Sequence, residues 1–312
     1  FRSDGITINT IHGGSKDEGI TTTTNVTLKS GTVTNVFGGG LDVGVTTSNV
    51  KQQGATVTNI YGGNNTVGTE SATGGDTVTT NVEILNSTVE NVYGGNKEKG
   101  TTRYANINIH GTSTITGKLY GGGYKSAIGK TDEIGSATIN IAGGTINNDI
   151  NGGSEQSIVY GTTKINIGKD ATDTVKTGLT GADINILGTI YGAGDTLTKG
   201  EVTVVGDTHI LIDKNETSQI QYFTAEGKEK TIYGTGNGGA KYSNGTTTDG
   251  STINIIDLGT QTTPYLLKSI ENTGDLYIGK SVIELTGALE EVVDSTEIGH
   301  YYTLNTITNA LT

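Results

Sequence analysis

Val36-Phe37-Gly38-Gly39-Gly40 is the stretch on which the reading of this chain turns: an apolar residue, an aromatic residue and a run of glycines. Ile60-Tyr61-Gly62-Gly63, Val92-Tyr93-Gly94-Gly95 and Leu119-Tyr120-Gly121-Gly122-Gly123 are close copies. Looser copies stand at Ile11-His12-Gly13-Gly14, Ile150-Asn151-Gly152-Gly153, Ile190-Tyr191-Gly192-Ala193-Gly194 and Ile232-Tyr233-Gly234-Thr235-Gly236. Recurrence every few tens of residues marks a solenoid, in which each repeat packs on its neighbours.

A second recurrent segment precedes each copy. It reads Asn25-Val26-Thr27-Leu28, Asn49-Val50-Lys51, Asn81-Val82-Glu83-Ile84 and Asn106-Ile107-Asn108-Ile109 in the first repeats. Later forms include Thr138-Ile139-Asn140-Ile141, Lys164-Ile165-Asn166-Ile167, His209-Ile210-Leu211-Ile212 and Thr252-Ile253-Asn254-Ile255. Alternation built on Val and Ile is the period of a half-buried strand. Glycine density and the lack of a 3.6-residue stripe argue against helix.

The two strands of a repeat keep a fixed separation: Val26 to Val33, Val50 to Val57, Val82 to Val89 and Ile139 to Ile146 are each seven residues. From the aromatic to the next repeat the distance varies: 13 residues for Phe37 to Val50, 21 for Tyr61 to Val82, 19 for Tyr120 to Ile139. One registered side and one variable side describe stacked coils. The predicted fold is all-β, a right-handed parallel β-helix or solenoid. A β-propeller needs blades of roughly 40 residues with four strands, and the early repeats are too short for that. The regular pattern weakens after about residue 200. This gives a repeat array over 1–260 and divergent C-terminal coils or a cap over 261–312, with Gly287 to Val293 as a candidate helical turn.

Composition narrows the function. Fifty glycines face one proline, and only 32% of the 312 residues are hydrophobic, so the core must be thin and long. Without cysteine there is no disulfide, thiolate metal site or catalytic thiol. A net charge of −12, with Arg2 and Arg103 as the only arginines, argues against nucleic acid and anionic membranes. No apolar run approaches the roughly 20 residues of a membrane-spanning helix. The chain starts and stops inside repeating sequence, which reads as a piece of a longer protein.

Stacking places Phe37, Tyr61, Tyr93 and Tyr120 in one column, continued by Tyr191 and Tyr233, with Asn35, Asn59 and Asn91 in another. Both are expected to be structural ladders, with the glycines turning the chain through positive φ. An aromatic platform for sugar rings is the sharper alternative. Segments 41–48, 64–80, 96–105, 123–137 and 154–163 all follow the glycine corner and are expected to project from one side. They carry the binding candidates Arg103, Tyr104, Tyr124, Lys125 and Tyr160. Calcium could be held by Asp and Asn of the inserted segments, although neither an EF-hand nor a glycine-aspartate nonapeptide is present. No other metal or cofactor is implied. The acidic residues are scattered and the four histidines share no motif, so no catalytic residues are assigned. The outward threonines are explained by strand propensity, because coils of such unequal length would not present an ice-matching lattice.

Gly31-Thr32-Val33-Thr34-Asn35-Val36-Phe37-Gly38-Gly39-Gly40 and its copies resemble the repeats of large bacterial surface proteins, the adhesin-like β-helices and autotransporter passengers. The resemblance covers roughly residues 6 to 260. It implies an extracellular or cell-surface, non-enzymatic module that binds host protein or glycan through one face. A polysaccharide lyase or glycoside hydrolase on the same scaffold is the rival. A pure stalk or a filament subunit with end-to-end self-association is the third reading.

Overall fold

Strands rich in Val, Ile and Thr, whose branched Cβ atoms suit extended backbone, pair in parallel along two long sheets. The computed structural model describes residues 5–16, 21–65, 76–168, 183–195, 204–214, 220–222, 230–234, 236 and 251–257, with strands at 265–267, 269–271, 276–278, 282–285 and 306–308. One sheet contains Thr7–His12, Thr32–Phe37, Thr56–Tyr61, Thr88–Tyr93, Leu119–Tyr120, Ile150–Asn151, Ile190–Tyr191 and Thr231–Tyr233. The second contains Thr21–Leu28, Val45–Gln52, Thr77–Leu85, Thr101–His110, Gly135–Ile141, Val159–Gly168, Thr208–Asp213 and Ser251–Asp257.

Each strand pairs with its own copy one coil away. Val33 aligns with Val57 and Val57 with Val89 in the first sheet. In the second, Val26 aligns with Val50, Val50 with Val82 and Val82 with Ile107. The chain winds as a parallel β-helix. Between the sheets lies one narrow apolar core from Val26 to Ile270, built almost wholly of Val, Ile and Leu. Coil stacking continues past residue 260: Ser269–Glu271 pairs with Thr231–Tyr233, and Leu276–Ile278 pairs with Ser251–Asp257. The candidate helical turn at 287–293 lies outside the described residues.

The fixed seven-residue separation comes from the tight turn between the two strands of a coil. That turn uses left-handed backbone, at Gly54 (φ 116°) and at Asn86 (φ 48°), for example. The glycines after the aromatics behave differently from expectation: none of Gly13, Gly38, Gly62, Gly94, Gly121, Gly152 and Gly192 has positive φ. They are glycine because adjacent coils touch backbone to backbone. A Cβ on Gly38 would overlap the carbonyl of Gly62, one on Gly62 that of Gly94, and one on Gly94 that of Gly121. The amides confirm the close stacking, Gly38 N donating to Tyr61 O at 3.0 Å and Gly62 N to Tyr93 O at 2.9 Å.

The carbonyls of five corner glycines are also met from across the interior. Thr24, Ser48 and Thr80 donate their hydroxyls to the carbonyls of Gly38, Gly62 and Gly94 at 2.5 Å. Thr163 and Thr208 do the same for Gly192 and Gly234 at 2.6 Å. These residues form one buried column of small side chains, occupied in two intervening coils by Ala105 and Ala137. Outside, amides run as ladders. Asn59 donates to Asn35 at 3.0 Å and Asn91 to Asn59 at 2.9 Å. On the second sheet Asn49 donates to Asn25, Asn81 to Asn49 and Asn106 to Asn81, at 3.0, 2.9 and 3.2 Å.

Two substitutions test the corner. Thr80→Val keeps the shape but leaves the Gly94 carbonyl without its hydroxyl, and is expected to cost about 1–3 kcal/mol of stability. Gly62→Ala drives a methyl into the Gly94 carbonyl, an overpacking expected to cost roughly 1–3 kcal/mol or more. Denaturant titration of both variants against the parent measures this. An unchanged midpoint for Gly62→Ala would mean that coil contact does not dictate glycine there.

Candidate functional site

The glycine corner carries the aromatic column beside it. His12, Phe37, Tyr61, Tyr93 and Tyr120 stack with ring centroids 4.8, 5.0, 4.9 and 5.6 Å apart and planes within 9°. Tyr191 and Tyr233 form a second stack at 5.0 Å. The rings of the first stack spend their faces on one another, which leaves edges and hydroxyls to other partners. Burial, and then the nearby Glu155, raises Tyr61 to about 12. The same two causes lift Tyr93 and Tyr120 further.

The segments after the glycine corner do not simply project. Their first residues stack as a third backbone ladder: Leu41 N donates to Ser15 O, Lys97 N to Asn64 O, Tyr124 N to Asn96 O and Gln156 N to Tyr124 O. This places Tyr124 edge-on to Tyr93, centroids 5.9 Å apart at 69°, with Lys125 Nζ 5.2 Å from its ring centre. Glu155 lies beside them, largely buried, accepting from Tyr93 OH at 2.5 Å and from Lys118 Nζ at 2.6 Å. Tyr124 and Lys125 therefore belong to a polar-aromatic cluster whose members already hold one another.

Arg103, Tyr104 and Tyr160 lie elsewhere and on strands, not on loops: Arg103 and Tyr104 on Thr101–His110, Tyr160 on Val159–Gly168. Several strands of the second sheet begin with a bend, read from two consecutive outward residues between buried ones. These are Thr46 and Thr47, Val78 and Thr79, then Arg103 and Tyr104. The register stacks the bends into a ridge. Thr79 pairs with Tyr104, Tyr104 with Ser136, Gly135 with Gly161, and Tyr160 with Val205.

In the coil between Arg103 and Tyr160 the ridge is enlarged by residues 129–134, inserted between the strands Ala127–Ile128 and Gly135–Ile141. Paired backbone bonds between Lys130 and Glu133 close this excursion. Arg103 holds it, with Nη1 2.8 Å from Glu133 Oε1 and Nε 3.4 Å from the carbonyl of Ile134. Lys130 bonds Asp76, which also accepts from the amide and hydroxyl of Thr101 at 2.8 and 2.9 Å. The guanidinium of Arg103 sits 5.1 Å from the Tyr104 ring centre. The result is an apolar crest in a frame of ion pairs: Ile134 is 66% exposed, Val78 40% and Tyr104 37%.

Sequence reading named Arg103, Tyr104 and Tyr160 but not Val78 or Ile134. Val78 lies in phase with the inward Val82 and Ile84, so alternation alone would bury it, and no signal in the sequence marks the bend that turns it outward. Ile134 carries none either, because its place depends on how the excursion folds. Among the described residues no group of three His, Asp or Glu side chains could hold a metal ion. Residues 66–75 of one inserted segment lie outside the described residues, and so does His300. No known protein family matches the chain, and neither a characterised protein nor a solved structure matches it.

The two charged sites respond to opposite ends of the pH scale. Partial burial works to raise Asp76, but the hydrogen bonds from Lys130 and Thr101 outweigh it and hold the carboxyl below its ordinary 3.8. Its stabilising effect is present above 3.8 and is lost as pH falls further. The protection factor of the Thr101 amide is expected to fall on acidification below that value, and to stay unchanged there in Asp76→Asn. The ladder tyrosines run the other way: folded pKa values above 10 stabilise at neutral pH, and that contribution is lost as pH climbs from 10 through about 12 for Tyr61. Absorbance at the phenolate band should show the ladder tyrosines ionising only above pH 10, with Tyr61 near 12.

Proposed function

We propose that the chain is a non-enzymatic, extracellular β-helix of a bacterial surface protein, and that its ridge of strand bends contacts a host protein. The observation that carries this reading is the exposure of Tyr104, Val78 and Ile134 together beside Arg103. Aromatic residues and arginine are the side chains that dominate binding energy at protein interfaces. Exposed apolar residues on neighbouring coils flanked by charge mark a contact site more than a solvated surface. Ile134 and Val78 offer nothing to a sugar hydroxyl, which favours protein over glycan as partner. The rigid body that presents the ridge suits a stalk, since each coil is tied to the next by backbone bonds, asparagine ladders and stacked aliphatics.

Binding of the protein to a panel of extracellular-matrix and cell-surface proteins tests the proposal. Tyr104→Ala and Ile134→Asp are each expected to weaken the selected interaction about tenfold or more, as central contact residues do, and to leave circular dichroism unchanged. Sugar release from an acidic polysaccharide would replace this reading with the enzyme. Binding indifferent to both substitutions would move the contact off the ridge.

A further inference from the structure

The sequence holds no cysteine, methionine or tryptophan, but it has 14 tyrosines. Cysteine and methionine sulfur is the usual first target of oxidants. In this chain an electron taken from a side chain therefore comes from tyrosine. The structure sorts the tyrosines. Tyr61, Tyr93 and Tyr120 are buried in one stack, with ring centroids 4.9 and 5.6 Å apart. Phe37, harder to oxidise than a phenol, bounds these three rings on one side, and Asn151 in register bounds them on the other. One route leads in from the surface. Tyr124 is half-buried, and its ring meets that of Tyr93 edge-on at 5.9 Å. Rings this close exchange electrons without an intervening carrier.

A phenol that loses an electron becomes a strong acid, so its oxidation needs a place for the proton. Tyr93 OH donates to Glu155 Oε2 at 2.5 Å, a length typical of hydroxyl bonds to carboxylates. Glu155 is buried, and its other oxygen accepts from Lys118 Nζ at 2.6 Å. Tyr120 OH has a more distant carboxylate, Asp195 at 3.4 Å. Burial, and then the bond to Glu155, pushes the Tyr93 hydroxyl above its ordinary 10.0, so the ring is not ionised beforehand. Its electron and its proton must leave together. Tyr93 is thus the middle ring of the three, touches the ring that leads outward, and has a proton acceptor in place.

We propose that the stack of Tyr61, Tyr93 and Tyr120 is a sink for one-electron oxidation, in which Tyr93 holds the radical and Glu155 its proton. A one-electron oxidant at the surface, such as a hydroxyl, carbonate or azidyl radical, takes an electron from Tyr124 and leaves as its anion. Tyr93 supplies the electron that refills Tyr124 and passes its phenolic proton to Glu155. A neutral tyrosyl then faces a neutral carboxyl, and the exposed Lys118 keeps water as its partner. A reductant that returns one electron draws the proton back and restores the pair. None of the ridge residues takes part, so the sink stands or falls independently of the ridge.

Azidyl radicals generated by pulse radiolysis test the sink, with the products followed by absorbance and, after freeze-quenching, by electron paramagnetic resonance. The parent is expected to give a tyrosyl radical that outlives that of free tyrosine many-fold. In heavy water that radical should show an exchangeable deuteron hydrogen-bonded to its oxygen. Tyr93→Phe places in the column the residue already present at Phe37, and is expected to fold and to lose the long-lived signal. Glu155→Gln keeps an acceptor oxygen for the hydroxyl but removes the base, and should shorten the lifetime several-fold. If Tyr93→Phe fails to fold, Glu155→Gln and the deuteron coupling in the parent carry the test. A radical as short-lived as that of free tyrosine, one without the deuteron, or an unchanged lifetime in folded Tyr93→Phe or Glu155→Gln would each overturn the proposal.

Discussion

The contact that everything else in this chain accommodates is glycine backbone against glycine backbone at the corner of every coil. Where Gly38, Gly62 and Gly94 pass one above another, there is no room for a Cβ, because the next coil's carbonyl occupies that place. Parallel strands fix the separation of coils at roughly 4.8 Å, and the corner must turn within it. Any side chain there would force adjacent coils apart and break the ladder on both sheets. The corner is thus glycine for reasons of space, whereas the left-handed backbone that glycine also permits is used at the opposite turn.

Once the corner is closed, its polar groups must be satisfied within a narrow interior. The amides pair with the next coil, and hydroxyls of Thr24, Ser48, Thr80, Thr163 and Thr208 reach the carbonyls from across the core. Those hydroxyls explain why a protein with so few hydrophobic residues tolerates a thin core. A column of small polar side chains beside a column of Val and Ile keeps the two sheets close, and the aliphatics do not have to fill a wide space. The same spacing lays the aromatic rings face to face.

How much of this was legible in the sequence depends on whether a feature repeats. The strands, their parallel pairing, and the aromatic positions Phe37, Tyr61, Tyr93 and Tyr120 repeat, and a period can be read from one chain. The second asparagine column, Asn25 to Asn106, also repeats, but it was visible only as strand residues because alternation does not say which amides meet. The hydroxyl column was hidden for another reason: Thr24 and Thr80 look like ordinary strand threonines until the opposite corner is placed against them. Features that occur once were not legible. Arg103 and Tyr104 read as loop residues because the distance from the preceding aromatic marks an insertion. The backbone instead re-enters the second sheet before them and bends at them. The clamp of residues 129–134 by Arg103 and Asp76 joins residues 25 to 54 apart in sequence, with no motif to announce it.

A ladder that is complete has nothing left to bind with, and this decides where recognition can reside. The faces of Phe37, Tyr61 and Tyr93 are covered by rings above and below, and the asparagine amides are spent on the next asparagine. A sugar or side chain approaching those columns finds edges only. Two places break the pattern. At the excursion over residues 129–134, extra chain exposes Ile134 on the coil next to that of Tyr104. At Asn151, the ring is missing and a buried acceptor stands without a donor. In a solenoid the repeats build the rod, and the departures from the repeat are where its surface has chemistry to offer.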